Sequence, residues 1–135
     1  MKMDQKWSGW TPILKVADAP RSLAFYCDIL GFSKDWEHRF DEGWPLYVSV
    51  SRSTLTLHLS EHKGGGTECA SLFVSVDDVD AVYKEFVDKG LVPEGPPIDR
   101  DYGVRDFSFR DPDGHHIGFG TRLNRMGLRG VGKIN

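Results

Sequence analysis

Cysteine is scarce: Cys27 and Cys69 are the only two in 135 residues, and neither belongs to a Cys-x-x-Cys pair. That disfavours a disulfide framework or a thiolate zinc site, and both thiols read as small residues of a reducing compartment. Long apolar runs are missing as well. No stretch approaches the ~18 consecutive apolar residues that cross a bilayer. Met1 to Trp10 carries no apolar segment of the secretory kind. The expectation is a cytoplasmic protein with no membrane partner. There is no excess of positive charge either: 17 Lys and Arg stand against 20 Asp and Glu, a net −3. Four of those bases, Arg122, Arg125, Arg129 and Lys133, crowd into residues 122–135, so setting them aside leaves −7 on residues 1–120. An acidic body disfavours nucleic acid and favours a cationic partner. Finally, no P-loop, Gly-x-Gly-x-x-Gly or Ser-His-Asp order is present to suggest nucleotide binding or acyl transfer.

What remains is a chain of single-domain length, 39% hydrophobic and 12% aromatic, a composition that fits a globular fold and excludes disorder. It repeats itself. Thr11 to Ala17 reads as a strand, and Asp18–Pro20 breaks it. Arg21 to Leu30 follows as a helix with Leu23, Phe25, Tyr26, Ile29 and Leu30 at three- and four-residue spacing, stopped by Gly31. Strand-like stretches come next at Phe32–Arg39, Leu46–Arg52 and Thr54–Ser60. Lys63–Thr67 is a glycine-rich linker. The pattern then restarts with a strand at Ser71–Val76 and a capped helix at Val79–Lys89 stopped by Gly90. A proline-interrupted edge segment follows at Leu91–Pro97, then a hairpin, Val104–Arg110 and His115–Gly120, around Asp111-Pro112-Asp113-Gly114. The two halves align with an offset of about 60 residues, Val16-Ala17-Asp18 on Val76-Asp77-Asp78. The expected fold class is α+β: two tandem βαβββ modules, about 8–62 and 68–121, forming a curved mixed sheet around a cup. Residues 1–121 make one domain, and 122–135 form a basic tail whose weak helical pattern is broken by Gly127, Gly130 and Gly132.

Two stretches carry a resemblance. Val16-Ala17-Asp18, then Ser22-Leu23-Ala24-Phe25-Tyr26-Cys27-Asp28-Ile29-Leu30-Gly31-Phe32, is the first. Phe109-Arg110-Asp111-Pro112-Asp113-Gly114-His115-His116-Ile117 is the second. They lie in opposite halves, and together they resemble the vicinal-oxygen-chelate superfamily, the glyoxalase, bleomycin-resistance and extradiol-dioxygenase group, over about residues 8–121. The motifs themselves are structural: helix-face packing in one, turn geometry in the other.

The resemblance implies a divalent metal held by four strand side chains, one position in each of four strands. Carried onto this chain, those positions fall on Thr11 or Pro12, on His58, on Ser71 and on Gly118. Only His58 is a good ligand, and one imidazole with a hydroxyl or two does not grip a divalent ion. His116, two residues before Gly118 on the same strand face, and Glu61 are the residues available to rescue a site, with His38, His62 and His115 further candidates. The alternative reading is therefore a metal-dependent glyoxalase-like lyase, isomerase or dioxygenase, with one divalent ion on His58, His116 and Glu61.

The first reading has no metal, no cofactor and no catalytic residue. It follows the superfamily's bleomycin-resistance branch, in which a homodimer forms crevices that sequester a bulky aromatic, cationic antibiotic. Trp36, Phe40, Trp44, Tyr47, His58, Tyr102 and His116 are the expected ligand-binding residues. The acids Asp35, Glu37, Asp41, Glu42, Asp99 and Asp101 stand around these rings. Strand alternation over Asp35-Trp36-Glu37 places Trp36 on the face opposite both acidic neighbours. The Trp7-Ser8-Gly9-Trp10 segment either packs on a partner subunit or covers the first sheet.

Overall fold

The computed structural model describes residues 4–123. The chain runs as β1 (Ile13–Lys15), α1 (Ala19–Leu23), β2 (Ser33–Arg39), β3 (Leu46–Arg52), β4 (Leu55–Ser60), β5 (Ser71–Ser75), α2 (Val79–Asp88), β6 (Ile98–Asp99), β7 (Val104–Arg110) and β8 (His116–Arg122). The two βαβββ modules are thus present. Each closes its own four-stranded mixed sheet, in the orders β1-β4-β3-β2 and β5-β8-β7-β6, with one parallel pair (β1 with β4, β5 with β8) in each.

The helices begin where the sequence supplies caps. Asp18 accepts from Arg21 N and Asp78 from Ala81 N, each satisfying an amide that the helix itself leaves open. The first helix does not stay α-helical. After Leu23 it widens into a π-helical turn over Ala24–Ile29, in which Leu30 N donates to Phe25 O. Side-chain spacing of three and four residues does not distinguish that widening from a regular helix. The edge strand of the second sheet is Ile98–Asp99, not the Leu91–Pro97 segment, whose prolines cannot donate to a ladder. The basic residues at 124–135 lie outside the described residues.

Alternation sorts each sheet into two faces. Val48, Val50, Leu57 and Leu59 of the first sheet, and Phe107, Phe109, Ile117 and Phe119 of the second, point inward. They join Tyr26, Leu30, Val79 and Phe86 from the helices in one continuous core. Each such fully buried side chain contributes about 1.5–3 kcal/mol. Phe86 packs α2 on its own sheet through Phe107, Phe109 and Phe119, and Phe25 meets Phe109 across the seam, so aromatic packing binds the two modules to each other.

A polar bridge crosses the same seam. Tyr26 Oη donates to Asp111 Oδ2 at 2.6 Å, and Asp111 Oδ1 accepts from Asp113 N and His115 N. Asp113 in turn accepts from Ala17 N, Arg21 Nη2 and Ser22 Oγ. His115 is buried; its Nδ1 accepts from Ala70 N at 2.9 Å, so its Nε2 carries the proton donated to Lys15 O at 2.7 Å. The Asp-Pro-Asp-Gly turn therefore does more than close a hairpin: its carboxylates hold the first module.

Candidate functional site

The outer faces of the two sheets, turned away from the shared core, carry the functional candidates. On the first sheet, Trp36 pairs across from Ser49, Ser49 from His58, and His38 from Tyr47. All of these side chains therefore leave the sheet on one side. Trp36 and Tyr47 stack with ring centres 5.9 Å apart and planes 7° from parallel. His58 stands edge-on to both, 5.2 Å from each, and its Nδ1 shares a hydrogen bond of 2.8 Å with Tyr47 Oη. Burial raises the Tyr47 phenol above its ordinary value, so this hydroxyl stays protonated. Phe40 and Trp44 extend the surface: Phe40 lies 4.5 Å from His38, 5.8 Å from His62 and 6.4 Å from Trp44, while Tyr47 reaches His62 at 6.4 Å. Five of the seven expected ligand-binding residues thus form one connected aromatic surface. It remains open, with Trp36 45%, Trp44 53% and Phe40 67% exposed.

The acidic component differs from strand alternation. The β2–β3 register shifts between Lys34 and Trp36, which makes Asp35 an extra, bulged residue. Its carboxylate accepts from Ser49 Oγ at 2.9 Å and Ser51 Oγ at 2.7 Å, both on the outer face. Asp35 and Trp36 therefore share a face, contrary to the expectation that Trp36 stands opposite both acidic neighbours. Glu37 does lie opposite, where it pairs with Lys34 at 2.8 Å.

The remaining two expected residues, Tyr102 and His116, sit on the outer face of the second sheet. They border a cleft of about 310 Å³ lined also by Ser71, Phe73, Asp106 and Ser108. Glu94 Oε1 accepts from Ser108 Oγ at 3.0 Å and lies 3.7 Å from His116 Nε2, beyond hydrogen-bond distance. Phe73, 54% exposed, was not singled out from the sequence. Its ring lies over Gly118 and Gly120; a Cβ on Gly120 would come within 2.6 Å of it. Two glycines at alternate positions of β8, opposite an aromatic on β5, were the legible signal.

The residues present do not fit a divalent cation within one chain. His58 and His116 lie on the outer faces of different sheets, against the expectation that they converge, because the inner faces and helices are buried between them. Glu61 is committed elsewhere: Oε2 accepts from Ala19 N at 2.7 Å and Oε1 from Leu46 N at 2.9 Å. Among the described residues no group of three His, Cys, Asp or Glu side chains is arranged to hold a metal. No helix among them is long and apolar enough to cross a membrane.

The fold is thus a pair of βαβββ modules that share one core and each present an open face carrying aromatic side chains. The chain belongs to the glyoxalase superfamily: the model of the family described as glyoxalase superfamily protein matches residues 4–126. It is 34% identical over 111 residues to the uncharacterized protein YraH of Bacillus subtilis, covering 74% of this chain and 87% of that one. It is 32% identical over 127 residues to a bleomycin resistance protein of Geobacillus stearothermophilus, covering 80% and 92%. Among solved structures, TnmS3, an antibiotic binding protein from Streptomyces sp. CB03234, superposes with a TM-score of 0.65 at 25% identity, covering 83% of this chain and 93% of that one. A glyoxalase/bleomycin resistance protein/dioxygenase superfamily member from Sphaerobacter thermophilus gives 0.67 at 24% identity over 82% and 93%, a likeness of fold.

Proposed function

We propose that this protein is a metal-free, cytoplasmic binding protein that sequesters a bulky aromatic, cationic small molecule, such as a bleomycin-family antibiotic, and so confers resistance. The carrying observation is the outer face of the first sheet: the Trp36–Tyr47–His58 surface with the Asp35 carboxylate beside it. A planar ring laid on such a surface gains about 0.5–1.5 kcal/mol per aromatic pair beyond area burial. A positive charge gains from both the ring faces and the carboxylate. The relationship to a bleomycin resistance protein and the likeness to an antibiotic binding protein support the same ligand class.

In this reading one protomer holds two half-sites that do not meet. The ligand is enclosed when the first-sheet face of one copy opposes the second-sheet face of another, so the active species is a homodimer with two crevices. The test is titration of the full chain with metal-free bleomycin while tryptophan fluorescence is followed, with elemental analysis of the same preparation. Saturable quenching at micromolar drug with one ligand per protomer is expected. No quenching removes the ligand class, and one tightly bound equivalent of a divalent metal per chain overturns the metal-free reading in favour of an enzyme.

A further inference from the structure

Two side chains of the turn between β6 and β7 are held by one carboxylate. Residues 100–103 form a tight connection in which Gly103 N donates to Arg100 O at 3.1 Å and Arg100 N to Val104 O at 2.7 Å. Gly103 sits at φ +86°, a conformation that costs other residues strain. Asp106, on the outer face of β7, then reaches back over this turn. Its Oδ1 accepts from Arg100 Nε at 2.7 Å and its Oδ2 from Tyr102 Oη at 3.2 Å. The Tyr102 ring is nevertheless 68% exposed. A large aromatic side chain is thus tethered through its hydroxyl while staying largely exposed at the rim of the cleft containing Ser71, Phe73 and His116.

The bond to Asp106 has two consequences for what that ring can hold. It removes rotamer freedom before any ligand arrives, which reduces the entropy lost on binding. It also places a carboxylate on the phenol proton, which makes the oxygen a better electron donor to its ring, so the ring faces become more attractive to positive charge. Asp106 simultaneously neutralises Arg100, whose guanidinium lines the same cleft and would otherwise repel a cation. We propose that Asp106 is a positioning and specificity residue: through Tyr102 and Arg100 it makes the second-sheet face selective for permanently cationic, electron-poor planar rings over neutral rings of the same shape. This rests on the function proposed above and adds the charge preference of the second half-site.

The test compares wild type, Asp106→Asn, Tyr102→Phe and Tyr102→Ala by fluorescence titration with N-methylacridinium, a permanent cation, and with acridine at mildly alkaline pH, where it is neutral and of nearly the same shape. Metal-free bleomycin is titrated in parallel. Asp106→Asn and Tyr102→Phe are each expected to weaken N-methylacridinium about two- to fivefold while moving acridine less, and Tyr102→Ala to weaken both. A readout without ligand runs alongside. The phenol of Tyr102, located in ultraviolet pH titrations by its loss in Tyr102→Phe, is held above its ordinary value by desolvation and by Asp106, and is expected to ionise at lower pH in Asp106→Asn. Unchanged cation affinity in both conservative variants, or an unmoved Tyr102 titration, overturns this inference while bleomycin binding leaves the functional reading intact. If wild type binds neither bleomycin nor N-methylacridinium, the functional reading itself is overturned and this inference with it.

Discussion

Replacing Trp36 by alanine separates a ligand surface from a packed core, and the structure sets both magnitudes. A tryptophan wholly enclosed in a core costs about 3–5 kcal/mol on truncation. Trp36 is 45% exposed, stacking on Tyr47 and meeting His58 edge-on. The stability loss should therefore be about 1–2 kcal/mol, less than half the core value. The open part of the ring is what a ligand would cover. Central aromatic anchors of interfaces cost about 2 kcal/mol or more when truncated, a factor of about thirty in Kd. Because Trp36 would itself report quenching, affinity is best measured by calorimetry with metal-free bleomycin, and stability by urea unfolding followed by circular dichroism. Trp36→Phe, which keeps a stacking face, should recover most of the affinity. Should Trp36→Ala lose 3–5 kcal/mol of stability and bind the drug as wild type does, the ring is a structural element and the proposed surface is wrong.

Other substitutions probe the seam between modules and the second face. Tyr26→Phe removes the donor to buried Asp111 and is expected to cost about 1.5–3 kcal/mol in urea unfolding, whereas a loss within experimental error would show the bridge to be energetically idle. His115→Leu leaves Ala70 N and Lys15 O without their partner and should cost about 2–4 kcal/mol, measured the same way. Gly120→Ala drives a methyl against Phe73 and Val104, so a fall of about 1–3 kcal/mol in stability should accompany weaker drug binding in calorimetry. Arg52 holds the Glu85 carboxyl below its usual range, so the stability this pair provides is present above the ordinary carboxylate pKa and fades as pH falls through the folded value. Both partners are partly solvated, so Glu85→Gln should remove only about 0.5–1 kcal/mol at neutral pH, and almost nothing in acid unfolding experiments below that window.

The sequence made the modules legible because periodicity, caps and turn residues all agreed. Asp18 and Asp78 start helices, Gly31 and Gly90 stop them, and Leu46–Arg52 with Leu55–Ser60 alternates cleanly. Tyr47 and His58 came together for the same reason, because alternation fixes which side chains share a face, whereas Phe40 and Trp44 reach them from the β2–β3 connection. Three features escaped. The π-helical turn at Ala24–Ile29 shares its spacing signature with an α-helix. The bulge at Asp35 reverses strand parity without any marker residue such as glycine. The commitment of Glu61 to two backbone amides depends on Ala19 and Leu46, which lie 42 and 15 positions away in the chain. How the modules face each other was equally out of reach of spacing arguments. It is set by which aromatic side chains interlock across the seam, as Phe25 does with Phe109.

The additional residue in β2 has an evolutionary corollary. Residues on either side of Asp35 already keep step with β3, Lys34 against Val50 and Trp36 against Ser49. Losing the single codon for Asp35 would heal the ladder, leave every other side chain where it is, and take one negative charge away from the aromatic patch. Under the function proposed above, that one deletion would move the preference of the patch from cationic toward neutral ligands with the scaffold kept.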